Sequence, residues 1–367
     1  MRIPFVLLPP VLSDDVYRLR WDGRVLASGR DPYRHPPSHP SLRGLRDAEF
    51  AKINHPDVPT VYGPLAEGLL GLLALSPAKA SLVSLKATAA LFDLVTVASL
   101  EALGGFGPVA AFLYAVHPLA VVETAGEGHL DGAAVALLLA GSALLARGRA
   151  IPGALAVAAA GLVKITPLAA APALLRSARG TAIVLAAGLF TLAHAPFAAS
   201  GGPLRGLTTY ARSWEGNGAV YPELVGALKA VHAAAHTKRL YGRVKAVLGH
   251  PALLDRAWSF FYDELLARVL LGVAFLASLG WVLTRVADPL RAAGLSLGAL
   301  LFFSPTLHPW YLLEVLPFAF LFRWTSVAWV AGAAPLVYLT ALTPGAVRAI
   351  EFLPAAVLYL AVDRRNS

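Results

Sequence analysis

The amino-acid sequence predicts an all-α fold, a polytopic bundle of transmembrane helices. Of its 367 residues, 57% are hydrophobic and 14% are charged, whereas soluble domains contain about 45–50% apolar and about 25% charged residues. The mean hydropathy is +0.63. Several apolar runs also approach the ~20 residues that a helix needs to cross a bilayer.

The chain is predicted to form one domain, residues 1–367, in three parts. Residues 1–12 are short for a crossing and contain three prolines, so they are interpreted as the end of a truncated first membrane helix. Residues 13–59 form a long polar loop. Within it, a helix is predicted to end at Gly29 and a short amphipathic helix to cover residues 42–53. Residues 60–367 form the helical bundle.

Hydropathy divides the chain into about ten to twelve membrane segments, including the short N-terminal one. Residues 151–175 are unusual because Lys164 and Pro167 lie in the middle of this apolar stretch, which predicts a pair of half-helices. The other apolar runs are residues 65–75, 82–103, 109–122, 133–146, 183–197, 265–286, 290–303, 311–322, 327–342 and 352–362.

Basic residues in short loops indicate the orientation, because cytoplasmic loops are enriched in Lys and Arg. One face collects Arg147, Arg149, Arg176, Arg179, Arg285, Arg291, Arg323, Arg364 and Arg365. That face is predicted to be cytoplasmic. The opposite, extracytoplasmic face then carries residues 13–59, 123–131, 199–264 and 304–311, which hold most of the unusual polar residues. Residues 13–59 are themselves rich in arginine, which suits phosphate binding.

Composition and the missing motifs exclude several kinds of chemistry. The chain has no cysteine, which excludes disulfides, thiolate nucleophiles and cysteine metal sites. Its formal charge of +9 suits contact with anionic lipids or phosphate. Neither a P-loop nor a dinucleotide-binding glycine motif is present, which argues against a cytosolic nucleotide-driven protein.

The candidate catalytic residues are Asp14 and Asp15, which follow the first apolar run directly. A carboxylate at the membrane surface can accept the proton of an attacking hydroxyl. The alternative is that they cap the helix that follows them, and one carboxylate can cap while the other is free.

Four basic residues are candidates to hold a phosphate: Arg18, Arg24, Lys164 and His308. Lys164 lies in an apolar stretch and needs either an anion or a snorkelling route to water. Asp22 lies four residues after Arg18, so it can orient Arg18 in a salt bridge, or else contact substrate.

A second group of residues suits contacts to a sugar or another acceptor. Glu123, Glu127, His129 and Asp131 cluster between two membrane segments, where they either hydrogen-bond an acceptor or the first loop, or cap helices. Their spacing matches no metal-binding template. Trp214, Trp310 and Tyr311 are candidate sugar platforms, and Trp310 and Tyr311 fit an interfacial aromatic belt equally well.

The sequence blocks SDDVYRLRWDGRVLASGRDPY, KINHPDVPTVYGPLAEGL, HPLAVVETAGEGHLDG, LVKITPLAAAPALL and SPTLHPWYLLEVLPFAF resemble bacterial integral-membrane glycosyltransferases of the GT-C class. The first block resembles the polyprenyl-phosphate-mannose-dependent mannosyltransferases, including phosphatidylinositol-mannoside enzymes and, more distantly, GPI mannosyltransferase I. The chain departs from that pattern at Glu127, where the resemblance leads us to expect asparagine, so acceptor contacts there are expected to differ.

The resemblance implies inverting transfer of a hexose, mannose being the expected one, without metal or cofactor. The implied donor is a polyprenyl-phosphate sugar and the acceptor a lipid or glycan, with membrane lipids as partners and no nucleic acid. It implies a base in the first extracytoplasmic loop of the plasma-membrane protein, matching Asp14 with Asp15 as the alternate. The rival hypotheses are a transporter or flippase, which would place ionisable residues near the midplane, and a noncatalytic assembly subunit.

Overall fold

The computed structural model describes residues 1–75, 81–176, 178–249, 262–339 and 341–365, and most of these residues are helical. The α-helices of the N-terminal half are α1 (Arg2–Leu7), α2 (Asp15–Ala27), α3 (Pro64–Leu75), α4 (Leu82–Ala102), α5 (Gly107–Val116), α6 (Pro118–Val121), α7 (Asp131–Ala146), α8 (Ala150–Val163) and α9 (Ala171–Leu175). Those of the C-terminal half are α10 (Gly180–His194), α11 (Leu204–Ser213), α12 (Tyr221–Ala230), α13 (Ala233–Leu248), α14 (Asp263–Arg285), α15 (Pro289–Phe303), α16 (Leu316–Phe322), α17 (Thr325–Ala333) and α18 (Pro344–Ala361).

The predicted all-α polytopic class is confirmed. Four helices among the described residues are long and apolar enough to cross a membrane: Leu82–Ala102, Gly180–Ser200, Asp263–Arg285 and Pro344–Ala361. A fifth candidate is α5 followed by α6 and its π-helical turn, bent by 63° at the break. Five shorter apolar helices correspond to most of the other predicted segments. The sequence 199–264 contributes α11 to α13, and its residues 250–261 lie outside the described residues.

The break predicted inside residues 151–175 is present. Helix α8 ends at Val163, Lys164 is extended, and a 3-10 helix over Thr166–Ala169 precedes α9. Pro167 cannot donate a backbone hydrogen bond, so a continuous helix through this point would lose part of its ladder. The backbone therefore changes direction at Lys164, which is the only lysine of residues 151–175.

In the polar loop, one predicted helix is present and one is not. Helix α2 covers Asp15–Ala27, and the chain turns at Gly29, whose φ of +76° favours glycine. The expected amphipathic helix over residues 42–53 is wrong: two short 3-10 helices, Pro40–Leu45 and Ala48–Lys52, replace it. Asp47 interrupts the helix because its side chain accepts from the Glu49 N–H at 3.1 Å and so starts a new turn.

Close helix packing fixes the loop helix on the bundle. At Gly23 of α2, an added Cβ would lie 2.4 Å from the carbonyl oxygen of Leu70 in α3, so only glycine permits this approach. The buried face of α2 includes Val16, Leu19 and Trp21. The loop helix is thus part of a hydrophobic core and gives its polar residues fixed positions.

Candidate active site

A cavity of about 710 Å³ lies between the start of α2, the loop 54–62, the break after α8, α11 and the stretch 300–311. Its polar and aromatic lining includes Ser13, Asp14, Asp15, Arg18, Asp22, Asn54, His55, Thr60, Tyr62, Lys164, Thr166, Thr208, Tyr210, Trp214, Ser304, His308, Trp310 and Tyr311. The remaining wall is largely apolar, from Leu204, Leu207, Ala211, Leu300 and Leu301. The cavity therefore offers both polar and apolar surface to one ligand.

Both predicted carboxylates of the loop line this cavity, in different surroundings. Asp14 is exposed and occupies the N-cap position of α2 without a side-chain capping bond. Asp15 accepts a hydrogen bond of 2.8 Å from the Asn54 amide, and its other oxygen lies 3.8 Å from Nε2 of His129. The hydroxyl of Ser13 accepts from the Asp15 N–H at 3.2 Å. Asp15 is the oriented carboxylate of the pair.

Glu127 anchors the chain just before these carboxylates. The backbone N–H groups of Val11, Leu12 and Ser13 donate to its carboxylate at 3.2, 3.1 and 3.0 Å. Glu127 is 2% exposed and does not line the cavity. The predicted contact to the first loop is therefore the one that the structure contains.

His129 lies beneath the loop and is fully buried. Its Nδ1 is 3.0 Å from the Glu123 carboxylate and its Nε2 is 3.3 Å from the Ser13 hydroxyl. Burial disfavours the imidazolium, but the hydrogen bond and charge of Glu123 outweigh it and raise the pKa of His129. His129 thus supports the loop from below.

Arg18 and Asp22 face the cavity as an oriented pair. Nε of Arg18 donates to both Asp22 oxygens, at 2.8 and 3.0 Å, and Asp22 is 2% exposed. Among the described residues, Nη2 of Arg18 is buried and has no hydrogen-bond partner. Asp22 therefore holds the guanidinium in the cavity wall.

Arg24 does not reach the cavity. Its guanidinium contacts the Asp47 carboxylate at 2.5 Å and the Leu45 carbonyl at 2.7 Å. Although partial burial opposes ionisation, Arg20 and then Arg24 lower the pKa of Asp47. These contacts hold the polar loop against α2, and Arg24 lies too far from the cavity to bind a phosphate there.

Lys164 enters the cavity already compensated by two carboxylates. It is hydrogen-bonded to Asp131, lies 3.2 Å from Glu314, and sits 3.8 Å above the ring of Tyr311. Asp131 and Glu314 are at most 1% exposed, and Glu314 also accepts from Thr166 at 2.7 Å. Asp131 is therefore a partner of Lys164 and is not among the residues that line the chamber.

His308 lies in the cavity wall as part of a stack of aromatic rings. Its imidazole is parallel to the Trp310 indole at 4.4 Å, and His129 stacks on the same indole at 4.1 Å. Burial lowers the pKa of His308 to about 4, which favours a neutral imidazole at pH 7, a hydrogen-bonding group rather than a positive charge. Trp310 is 9% exposed and, with two imidazoles on it, leaves little ring surface for a sugar.

The depressed pKa of His308 predicts a pH-dependent stability. A histidine with a pKa of about 6.5 when unfolded and about 4 when folded stabilises the fold above pH 6.5, and this contribution is lost as the pH falls from 6.5 to 4. Full loss corresponds to about 3 kcal/mol. Thermal unfolding at pH 7 and pH 5 should show a smaller loss in His308→Gln than in the wild type, and equal losses would contradict the assignment.

The other aromatic candidates line the cavity opposite α2. Trp214 packs on His55 at 4.4 Å and on Tyr210 at 5.1 Å. Tyr311 shares a hydrogen bond of 2.5 Å with Tyr210 through their hydroxyls. Trp214 is therefore better placed than Trp310 to present a ring to a sugar.

Sequence reasoning missed Asn54 and Glu314, although both have large roles in the geometry. Asn54 lies in the NHPDVP turn and gave no signal beyond being polar beside prolines. Glu314 gave a usable signal, because an acidic residue next to an apolar run must be paired or hydrated. Among the described residues, no group of three or more His, Asp or Glu side chains is arranged to hold a metal ion.

Residues 2–179 match the family model described as MptA_B family, alpha-(1->6)-mannopyranosyltransferase, N-terminal domain. These residues make up just under half of the chain, and the match supports a mannosyltransferase, which is a glycosyltransferase. The mannosyltransferase resemblance found in the sequence is thereby confirmed, while the match names neither the phosphatidylinositol-mannoside nor the GPI enzymes. The matched residues include the cavity-lining part of α2, Asn54 and Lys164. No curated protein and no solved structure matches the chain.

Proposed function

We propose that this mannosyltransferase moves mannose from a polyprenyl-phosphate donor to a lipid or glycan acceptor with inversion and without a metal. One observation carries the proposal: Asp15 and Arg18 lie three residues apart on α2 and face the same cavity. Side chains three apart share a helix face. A carboxylate for the acceptor and a guanidinium for the donor phosphate are thus presented side by side.

In the proposed step, the acceptor hydroxyl attacks the anomeric carbon of the donor as its proton passes to Asp15. The bond between that carbon and the phosphate oxygen breaks, and polyprenyl phosphate leaves with the electron pair. A single base and a phosphate leaving group suffice, so no covalent enzyme intermediate forms. Asn54 holds Asp15 in position for this role, which favours Asp15 over Asp14 as the base.

The leaving phosphate is assigned to the guanidinium of Arg18 and to the hydrogen-bonding imidazole of His308, which both line the cavity. The ammonium group of Lys164 adds positive charge at the cavity, and the carboxylates of Asp131 and Glu314 offset that charge. The apolar wall formed by α11 and the end of α15 suits the first isoprene units of the donor lipid. Trp214 is assigned to the sugar or the acceptor.

The cavity is assigned to the extracytoplasmic face of a bacterial plasma membrane. Helix α7 begins at Asp131 beside Lys164 and ends at Ala146, so the arginines that follow it lie at the end remote from the cavity. At that end Arg147 contacts the backbone of Ala102, and Arg176 donates to the Val286 carbonyl at 2.8 Å. Clustered basic residues there agree with a cytoplasmic side.

Donor and mechanism are tested with purified protein in proteoliposomes given polyprenyl-phosphate [14C]mannose or a nucleotide-linked [14C]mannose. We expect labelled product from the lipid donor alone, unaffected by EDTA, with the anomeric configuration opposite to that of the donor. Transfer from the nucleotide sugar alone, retained configuration or full loss in EDTA would each contradict the corresponding part of the proposal.

Glu127 should act as a positioning residue for Asp15. Glu127→Ala removes the acceptor of three backbone N–H groups and is expected to lower transfer by about 10²-fold, because small misplacements of reacting groups have such effects. Glu127→Gln keeps one acceptor oxygen and should be milder. Exposed Glu101 provides the matched control, Glu101→Ala. Wild-type transfer by Glu127→Ala would contradict the role.

A further inference from the structure

Helix α13, residues Ala233–Leu248, combines strong positive charge with an exposed apolar stripe. It contains Lys238, Arg239, Arg243 and Lys245, and the sequence has no Asp or Glu between Glu223 and Asp255. None of its described residues is buried. This charge lies outside the cavity, and the proposed transfer does not use it.

Three large apolar residues of α13 share one face. At 100° per residue, Leu240, Val244 and Val247 fall within a sector of about 60°, and they are 58%, 39% and 81% exposed. Arg243 and then Arg239 lie on one flank of this sector, whereas Lys238 lies on the opposite face, and all three basic residues are exposed. An apolar stripe with cations beside it is typical of helices that lie in a lipid headgroup layer.

The N-terminal end of α13 is fixed to the start of a candidate membrane span. The N–H of Ala234 donates to the Asp263 carboxylate at 3.0 Å, and Asp263 is the first residue of α14. Nearby, Lys229 of α12 forms a 2.5 Å ion pair with Glu264. Because α14 is long and apolar enough to cross the bilayer, its first residue marks the boundary where α13 begins.

We propose that α13 is a docking surface for anionic phospholipid headgroups, with Leu240, Val244 and Val247 inserted into the lipid and Arg239 and Arg243 paired with the phosphates. Such pairing follows from charge complementarity, since each basic side chain near an anionic surface favours binding about fivefold. The helix is ~24 Å long and so contacts several lipids at once. The proposal stands independently of the donor and the base.

The test uses the complete chain, which has no cysteine of its own, so that single spin labels can be placed. Val247→Cys reports the apolar stripe, Leu240→Cys repeats the measurement, and Ala246→Cys reports the opposite face. Each protein is placed in nanodiscs of phosphatidylcholine with phosphatidylglycerol, of phosphatidylcholine alone, and in amphipol without lipid. Accessibility to oxygen and to a water-soluble nickel complex gives the depth of the label.

We expect labels at 247 and 240 to favour oxygen in the anionic nanodisc and the label at 246 to favour nickel. Combining Arg239→Gln and Arg243→Gln should weaken docking to the anionic lipid by about 25-fold, with thermal unfolding unchanged, whereas Lys238→Gln on the opposite face should have a smaller effect. The proposal is overturned if labels at 247 and 240 are aqueous in the anionic disc, or equally shielded in amphipol. The proposal would also be overturned if the labels at 247 and 240 were equally immersed in both kinds of nanodisc and stayed immersed after the basic residues were replaced by glutamine.

Discussion

Asp15→Asn is expected to lower mannose transfer by about 10²–10⁴-fold, the usual contribution of a positioned base. The substitution keeps the size of the side chain and an acceptor for the Asn54 amide, so folding should be preserved. Asp14→Asn should have a smaller effect, because the Asp14 carboxylate is exposed and has no capping bond to hold it. Initial rates from polyprenyl-phosphate [14C]mannose measure both variants.

Asn54→Ala distinguishes the two aspartates further. The Asn54 amide contacts Asp15 at 2.8 Å, so its removal should slow transfer only if Asp15 is the base. A large loss in Asp14→Asn together with normal rates in Asp15→Asn and Asn54→Ala would move the role to Asp14. Normal transfer rates in both Asp14→Asn and Asp15→Asn would show that neither aspartate of this loop is the base.

Lys164→Met is expected to lower the free energy of unfolding by about 3–5 kcal/mol, because it leaves two buried carboxylates without their cation. Asp131 and Glu314 each contact Lys164 and are almost fully buried. Adding Asp131→Asn and Glu314→Gln to Lys164→Met should restore most of the stability. Thermal or denaturant unfolding in detergent gives the comparison, and an unchanged midpoint for the single variant would contradict the account.

The restored triple variant also separates stability from chemistry at Lys164. If the ammonium helps to stabilise the leaving phosphate, the triple variant should be folded but slow, with a raised KM for the lipid donor. If the ammonium serves only to neutralise Asp131 and Glu314, the folded triple variant should transfer mannose at the wild-type rate. Lys52→Met, at a half-exposed lysine of the loop, is the matched control.

Local features of the polar loop could be predicted from sequence because short-range rules govern them. The acidic start of α2 and the glycine after its end are sequence signals of a helix, and both boundaries are observed. Within residues 42–53, Asp47 starts a new turn through its own side chain, and its carboxylate is also held from outside this segment. Asp47 pairs with Arg20 and Arg24 from α2, and no periodicity within 42–53 reports a partner more than twenty residues away.

The candidate site likewise divides into residues that the sequence could identify and long-range contacts that it could not. Sequence identified Asp14, Asp15, Arg18, Lys164 and His308 as polar residues that an apolar chain would not keep without reason, and the structure places them around one cavity. The sequence could not predict which distant residues contact this group. The contact of Glu127 with residues 11–13 spans more than a hundred positions, as does the pair of Lys164 with Glu314, and only the packed fold brings such partners together.

The central claim is that the carboxylate of Asp15 activates an acceptor against a polyprenyl-phosphate mannose held in this cavity. The most direct test gives that donor and a nucleotide-linked mannose, in parallel, to wild-type and Asp15→Asn proteoliposomes of equal folded content. The account predicts that only the wild type consumes donor rapidly and that only the lipid donor is consumed. Equal consumption of the lipid donor by both proteins, or use of the nucleotide sugar alone, would contradict it.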